Sequence, residues 1–326
     1  MNREQYAAML KDISETHKAG GDTAACIAKY NERYKFMYIY NDNVFKILFG
    51  SPENEKITID FLNAVLGFIG SDCINNLAYI NPALPDAFGK SITSDIVATD
   101  QRLDRIVLEV QHIEDDSYNA RLVLYTAKHT IASRIKGEDY ALQNLNLISL
   151  QMFDGFPNSP NYRHSIRFKN QENEEFYDKQ TITLVEIPKF LKGNFATDNS
   201  RIAQWLRVID GLNNETPVAV PEGSPFALLQ EKAQLSIFTE EFLVSEAMKM
   251  SDHKYELYVE KKHARKEGLE EGRAEGRAKG LTEGADAKAR EMAAAMLADG
   301  DSVEKVVRIS KLPESDVLAI KARLQK

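Results

Sequence analysis

The sequence predicts an α/β protein, a sheet flanked by helices and followed by a mainly helical C-terminal region. Three observations carry this. Apolar residues recur at helical spacing before residue 67, they switch to strand-like runs between 92 and 111, and after residue 190 helical patterning returns and ends in a charged, glycine-periodic stretch. The chain of 326 residues with 43% hydrophobic content can bury one sizeable core and a satellite.

Residues 1–37 read as a polar, amphipathic helical lead-in. In 38–67, YIYNDNVFKILFGSPENEKITIDFLNAVLG, the residues Val44, Phe45, Leu48 and Phe49 form one helix face. Asn43 or Asp42 is placed to cap its start, and Gly50-Ser51-Pro52 stops it. A second helix from about Asn54 is expected to bury Ile57, Phe61, Leu62, Val65 and Leu66. After a Pro-containing loop at 81–86 the period changes. Ile92, Ile96 and Val97 lie in one apolar run and Ile106, Val107, Leu108 and Val110 in the next, with turn chemistry at both ends of the intervening DQRLD, so an antiparallel hairpin is predicted.

That hairpin carries acids. A five-residue loop centred on Arg102 sets residues equidistant from it face to face, which places Asp95 opposite Glu109. Directly opposed side chains have Cβ atoms roughly 4.5–5.5 Å apart, and like charges so placed destabilise by roughly 0.2–1 kcal/mol, so a positive group is expected between them. Strand alternation puts Glu109 and Gln111 on one face and Leu108, Val110 and His112 on the other. Two carboxylates and an amide then converge, a hard oxygen set suited to Mg²⁺ or Mn²⁺; zinc would call for Cys or His at ligand spacing, and none of the six histidines forms such a pair. Two acids are also what a solvated edge face carries, but residues 106–110 are apolar on both sides of Glu109, which favours an embedded strand.

The segment DDSYNARLVLYTAKHTIASRIKGEDY is a predicted helix with Asp116 or Ser117 at its cap and Gly137 as its stop. Arg121 and Tyr125 fall one turn apart, and with Lys128 they make a polar stripe that either reaches back over the sheet or is a solvated face. A buried strand at 145–153 follows, then a hairpin of 162–168 and 180–187 around a polar turn at 169–179.

Beyond residue 190, a helix at 199–212 holds Trp205, read as a core anchor. Pro217, Pro221 and Pro225 mark a connection, and 226–250 reads as helix. From 251 the chain is charged, and EGLEEGRAEGRAKGLTEG sets Gly268, Gly272, Gly276, Gly280 and Gly284 at a four-residue period. Each glycine costs about 1 kcal/mol against alanine inside a helix. The flanking Glu, Arg and Lys exclude a membrane-type glycine interface, leaving a self-association helix or a tether, of which the tether is the reading taken. Residues 299–326 form two short helices split at Lys311-Leu312-Pro313, read as a packing or protein-contact module because the second offers few base-reading side chains apart from Lys321 and Arg323. The divisions expected are 1–37, 38–195, 196–252, 253–298 and 299–326.

Bulk properties bound the function. A net charge of -8 argues against a generally basic nucleic-acid coat, while leaving room for a local positive cleft or a bound cation. Cys26 and Cys73 make no C-x-x-C pair, so neither a disulfide framework nor a zinc ribbon is expected. No apolar run nears the roughly 18 residues of a membrane span and no signal-peptide core opens the chain, so a cytoplasmic protein without a membrane partner is expected.

The ordered series NDNVFKILFG, FLNAVLG, GKSITSDIVATD, IVLEVQ, RLVLYTAKHTIASRIKGEDY, LISLQMF and LVEIPKF resembles the transposase-like branch of the PD-(D/E)XK nuclease superfamily, the recombination-promoting nucleases, from about residue 38 onward. The resemblance implies a restriction-endonuclease-like mixed sheet flanked by helices, and Mg²⁺- or Mn²⁺-dependent hydrolysis of DNA phosphodiesters in recombination or transposition. It assigns the motif acids to Asp95 and Glu109 as metal ligands, and puts Gln111 where the superfamily usually has a lysine. A glutamine is neutral and orients water or a phosphate oxygen only by hydrogen bonds. Lys90, Arg121 or Lys128 could supply the missing charge, and with Tyr125 they are candidate phosphate or DNA contacts. Asp42 is either a helix cap or an outlying carboxylate of the same site. The alternative is a non-catalytic protein of this fold that binds partners through its C-terminal helices.

Overall fold

The N-terminal sequence folds locally into two capped helices, α1 (Arg3–Lys18), where Asn2 and Gln5 form a capping box, and α2 (Thr23–Arg33), capped by Asp22. The computed structural model describes residues 1–84, 92–114, 117–135, 137, 140–251 and 253–324. It divides into two compact units, Met1–Lys249 and Met250–Lys326.

In the first unit, α3 (Asp42–Gly50) buries Val44, Phe45, Leu48 and Phe49 as its periodicity requires. Its cap is Asn41, whose side chain accepts from the N–H groups of Asn43 and Val44. The expected caps, Asp42 and Asn43, therefore sit one and two positions too far along, and Asp42 is the first helical residue. Helix α4 (Glu55–Leu66) ends on Gly67, whose φ of 75° is a left-handed cap. It buries Ile57, Phe61, Leu62 and Val65 as expected, whereas Leu66 is only half-buried.

The strands are β1 (Leu77–Tyr79), β2 (Ala83–Leu84), β3 (Ile92–Thr93), β4 (Ile96–Asp100), β5 (Arg105–Gln111), β6 (Leu145–Gln151), β7 (Arg163–Lys169) and β8 (Glu175–Glu186). Among the described residues, strands β2 and β3 pair with each other, and the rest form a six-stranded sheet in the order β1-β4-β5-β6-β8-β7. It is mixed: β5, β6 and β8 run parallel, while the β1/β4, β4/β5 and β7/β8 pairs are antiparallel. The expected hairpin register is present, with Ile96 facing Leu108 and Val97 facing Val107.

Helix α5 (Tyr118–Ala132) makes the crossover between the parallel strands β5 and β6. It starts after Ser117 and stops at Ser133, before Gly137. Tyr118 and Leu122 pack on Val97, Val107, Leu145, Leu147 and Leu184, so α5 closes one face of the sheet. Strand β8 begins at Glu175, inside the stretch read as turn, because the outer halves of β7 and β8 are exposed and polar.

Four more helices complete this unit: α6 (Ile187–Lys192), α7 (Arg201–Asn213), α8 (Pro225–Lys232) and α9 (Glu240–Met250). Trp205 is fully buried, edge-on to Phe61 at 5.5 Å, and its Nε1 donates to Asp60 Oδ2 at 2.7 Å. The single helix expected over 226–250 is interrupted. The Met37 N–H donates to the Ala233 carbonyl and the Leu235 N–H to the Lys35 carbonyl, and this strand-like pairing pulls the chain out of the helix.

The second unit contains α10 (His253–Ala298), a continuous helix of 46 residues, with α11 (Val303–Ser310) and α12 (Glu314–Leu324). Ala293, Val306, Leu312 and Val317 form its small core. A Cβ added at Gly268, Gly272, Gly276, Gly280 or Gly284 would meet nothing within 4 Å. Among the described residues no helix is long and apolar enough to cross a membrane.

Candidate active site

Strands β4 and β5 bring the two acids together, and the main chain holds them there. Asp95 directly precedes β4 and accepts the Val110 N–H on Oδ2 at 2.8 Å. The Glu109 carboxylate accepts the Asp95 N–H and the Ser94 hydroxyl. Each acid is thus anchored by the opposite strand. Both open into a cavity of about 170 Å³ that is also lined by Asp42, Gln111, Arg121 and Tyr125.

The positive group that this pairing requires is Lys46, which the sequence reading passed over. It lies one turn after Asp42 on α3, with Nζ 3.0 Å from Asp95 Oδ1. Burial pulls the Lys46 pKa down, but the charges of Asp95, Asp42 and Glu109 outweigh it and hold the pKa above its ordinary value, so the ammonium is retained. The available signal was its isolation: Lys46 is the single basic residue of DNVFKILFG, placed i+4 from an acid.

Burial also governs the acids. It raises the Asp95 pKa against the opposing pull of the Val110 N–H and Lys46. Burial and then the Asp95 charge push Glu109 up to about 8. Glu109 Oε1 is buried and has no hydrogen-bond partner among the described residues. An unsatisfied carboxylate oxygen beside a second carboxylate is a position a hard cation fills. Among the described residues no group of three or more His, Cys, Asp or Glu side chains converges as a metal cage. Two carboxylates nonetheless fit Mg²⁺, which keeps several waters and takes only one or two carboxylates from the protein. The donor set therefore fits Mg²⁺ or Mn²⁺.

The remaining candidates separate. Gln111 lines the cavity, and its Nε2 donates to the Ile113 carbonyl at 2.7 Å. Arg121 also lines it, with its guanidinium 5.6 Å from the Tyr118 ring centre. The Tyr125 hydroxyl has its pKa raised by burial and then by Glu109. Lys128, farther along α5, is not among the lining residues, so the expected three-residue stripe reaches the cavity through two members. Lys90 lies outside the described residues. Asp42 lines the cavity and sits 3.3 Å from His112 Nε2, its capping role having gone to Asn41.

A larger cavity, about 310 Å³, opens on the opposite sheet face between Arg102, Asp104, Arg163 and Asp178. Arg102 there is already paired with Asp100 at 2.6 Å and Asp104 at 3.5 Å. Size therefore does not identify the site; the paired strand acids do.

No curated protein and no solved structure matches the chain. The family described as PD-(D/E)XK nuclease family transposase matches residues 39–271, more than half of the chain, and the match spans Lys46, Asp95, Glu109 and Gln111. The mixed sheet flanked by helices is consistent with the fold of that family. The chain belongs to the PD-(D/E)XK nuclease family transposases.

Proposed function

We propose that the protein is a metal-dependent endonuclease that hydrolyses DNA phosphodiester bonds in recombination or transposition. The observation that carries this reading is the Asp95–Glu109 pair across the β4/β5 hairpin, which opens into one cavity and has Lys46 against Asp95, inside the family's matched segment. Asp95 and Glu109 would hold Mg²⁺ or Mn²⁺, which supplies Lewis-acid polarisation of the phosphate and a lowered water pKa.

The chain's own residues account for the rest. Lys46 brings fixed positive charge toward the scissile phosphate from a helix, where the superfamily pattern would bring it from the strand position held by Gln111. Gln111, its Nε2 committed to Ile113, has its amide oxygen left to accept a hydrogen bond from the attacking water and orient it. Arg121 and Tyr125, at the cavity wall, would hold phosphate oxygens.

The test is conversion of supercoiled plasmid to nicked circle by the full-length protein with Mg²⁺, with Mn²⁺ or with EDTA. Divalent-dependent nicking is expected, lost in Asp95→Ala and in Glu109→Ala while circular dichroism stays native. Equal nicking by wild type and both variants would reveal a contaminant and end the assignment. DNA binding without any nicking would favour the non-catalytic alternative.

A further inference from the structure

Outside the lining of the cavity lies a row of polar groups that the proposed chemistry does not use. His129 is fully buried on α5, in helical register with Tyr118, Leu122 and Thr126. Its Nδ1 is 3.0 Å from Arg105 Nε and its Nε2 is 3.0 Å from Ser94 Oγ. Ser94 is itself fully buried and its hydroxyl reaches the Glu109 carboxylate. Arg105, at 7% exposure, opens the strand that carries Glu109 four residues later.

The donor and acceptor roles along this row are forced. A guanidinium only donates, so His129 Nδ1 must present its lone pair to Arg105. The imidazole is then neutral and carries its proton on Nε2, which donates to Ser94 Oγ. With that oxygen accepting, the single Ser94 hydroxyl proton is directed onto the Glu109 carboxylate. The charge balance agrees: burial, and then the Arg105 charge, hold the His129 pKa down to about 4.

We propose that Arg105, His129 and Ser94 are positioning residues, a one-way hydrogen-bond relay that fixes the rotation of the Glu109 carboxylate so that Oε1 stays free for the cation. This rests on the metal-site reading above. The energetic logic is that of outer partners of metal ligands, whose removal typically lowers metal affinity by about 10- to 100-fold. The tautomer follows from the Arg105 contact alone, and what separates the relay from a merely structural cluster is its effect on cation affinity.

Two measurements on the full-length protein decide it. Long-range ¹⁵N–¹H correlation of the histidine rings in wild type should show His129 protonated at Nε2 alone; a proton on Nδ1 would overturn the relay without recourse to any variant. Mn²⁺ titration by calorimetry should show Ser94→Ala weaker by about 10- to 100-fold, with kcat reduced and KM for DNA unchanged. His129→Gln, whose amide accepts and donates across a separation close to that of the two ring nitrogens, should recover part of the affinity that His129→Leu loses. Unaltered Mn²⁺ affinity in a folded Ser94→Ala would sink the relay alone. Failure of wild type itself to bind Mn²⁺ would remove the metal reading beneath it, and the relay's role along with it.

Discussion

Lys46 Nζ stands 3.0 Å from Asp95 Oδ1, so the charge that offsets two facing carboxylates comes from helix α3 and not from either strand of the hairpin. In the cation-free site Lys46 does part of what a metal would do, and the two positive charges compete for Asp95. Lys46→Met is expected to bind Mn²⁺ several-fold more tightly in calorimetry and yet to nick plasmid about 100-fold more slowly, because charge stabilisation at the phosphate is lost. Lys46→Arg should restore part of the rate. Weaker Mn²⁺ binding by Lys46→Met would show that the lysine supports the ligand and does not compete with the metal.

Glu109 makes stability depend on pH in a defined direction. Its pKa rises from 4.5 to about 8 on folding, so the folded chain favours the neutral acid. The resulting stability is fully present below about pH 4.5 and is lost as pH rises through about 8. Metal-free wild type should therefore melt at progressively lower temperature across that window, while Glu109→Gln melts higher at the alkaline end, with Asp95 responsible for any slope that remains. Mg²⁺ should raise the wild-type melting temperature increasingly with pH and leave Glu109→Gln nearly unmoved. A wild-type melting temperature that climbs across the same window without metal would contradict the buried, proton-favouring environment.

Gln111 contributes orientation without charge. Gln111→Ala is expected to keep Mn²⁺ affinity within a factor of a few and to lose about tenfold in nicking rate, a smaller loss than removing either acid. An inert Gln111→Ala with intact metal affinity would give the amide a central role in activating water.

The glycine row of α10 has open space at every Cβ position within the chain. Replacing Gly272, Gly276 and Gly280 together with alanine removes roughly 3 kcal/mol of helix-propensity cost. Ellipticity at 222 nm should become more negative, with sedimentation and nicking unchanged. A wild-type dimer that dissociates on this triple substitution would mean that the glycines admit another copy of the helix.

How much was legible in the sequence followed the range of the interactions. The β4/β5 register could be read because turn residues flank Arg102 symmetrically, and register then set the facing of Asp95 and Glu109 through nothing but strand geometry. Lys46 could not, because its partner lies 49 residues away and the pairing exists only once α3 has packed beside β4. The break between α8 and α9 was hidden for the same reason, since residues near 35 impose it. Strand β1 has three residues, too short for alternation to show, and the outer half of β8 is exposed on both faces and has no apolar pattern to reveal it. His129 and Ser94 carry no motif; only the close packing of α5 onto the sheet joins them.

The mutual anchoring of the acids has a consequence for how the site is gained and lost. Asp95 is held by the Val110 amide and Glu109 by the Asp95 amide, so neither carboxylate can leave its place while the ladder stays zipped, and neither can stay if it opens. Closing this end of the hairpin and assembling the cation-binding pair are a single equilibrium. Cation occupancy then acts as a latch on two particular amides, slowing the solvent exchange of Val110 and Asp95 far more than that of residues at the Arg102 turn.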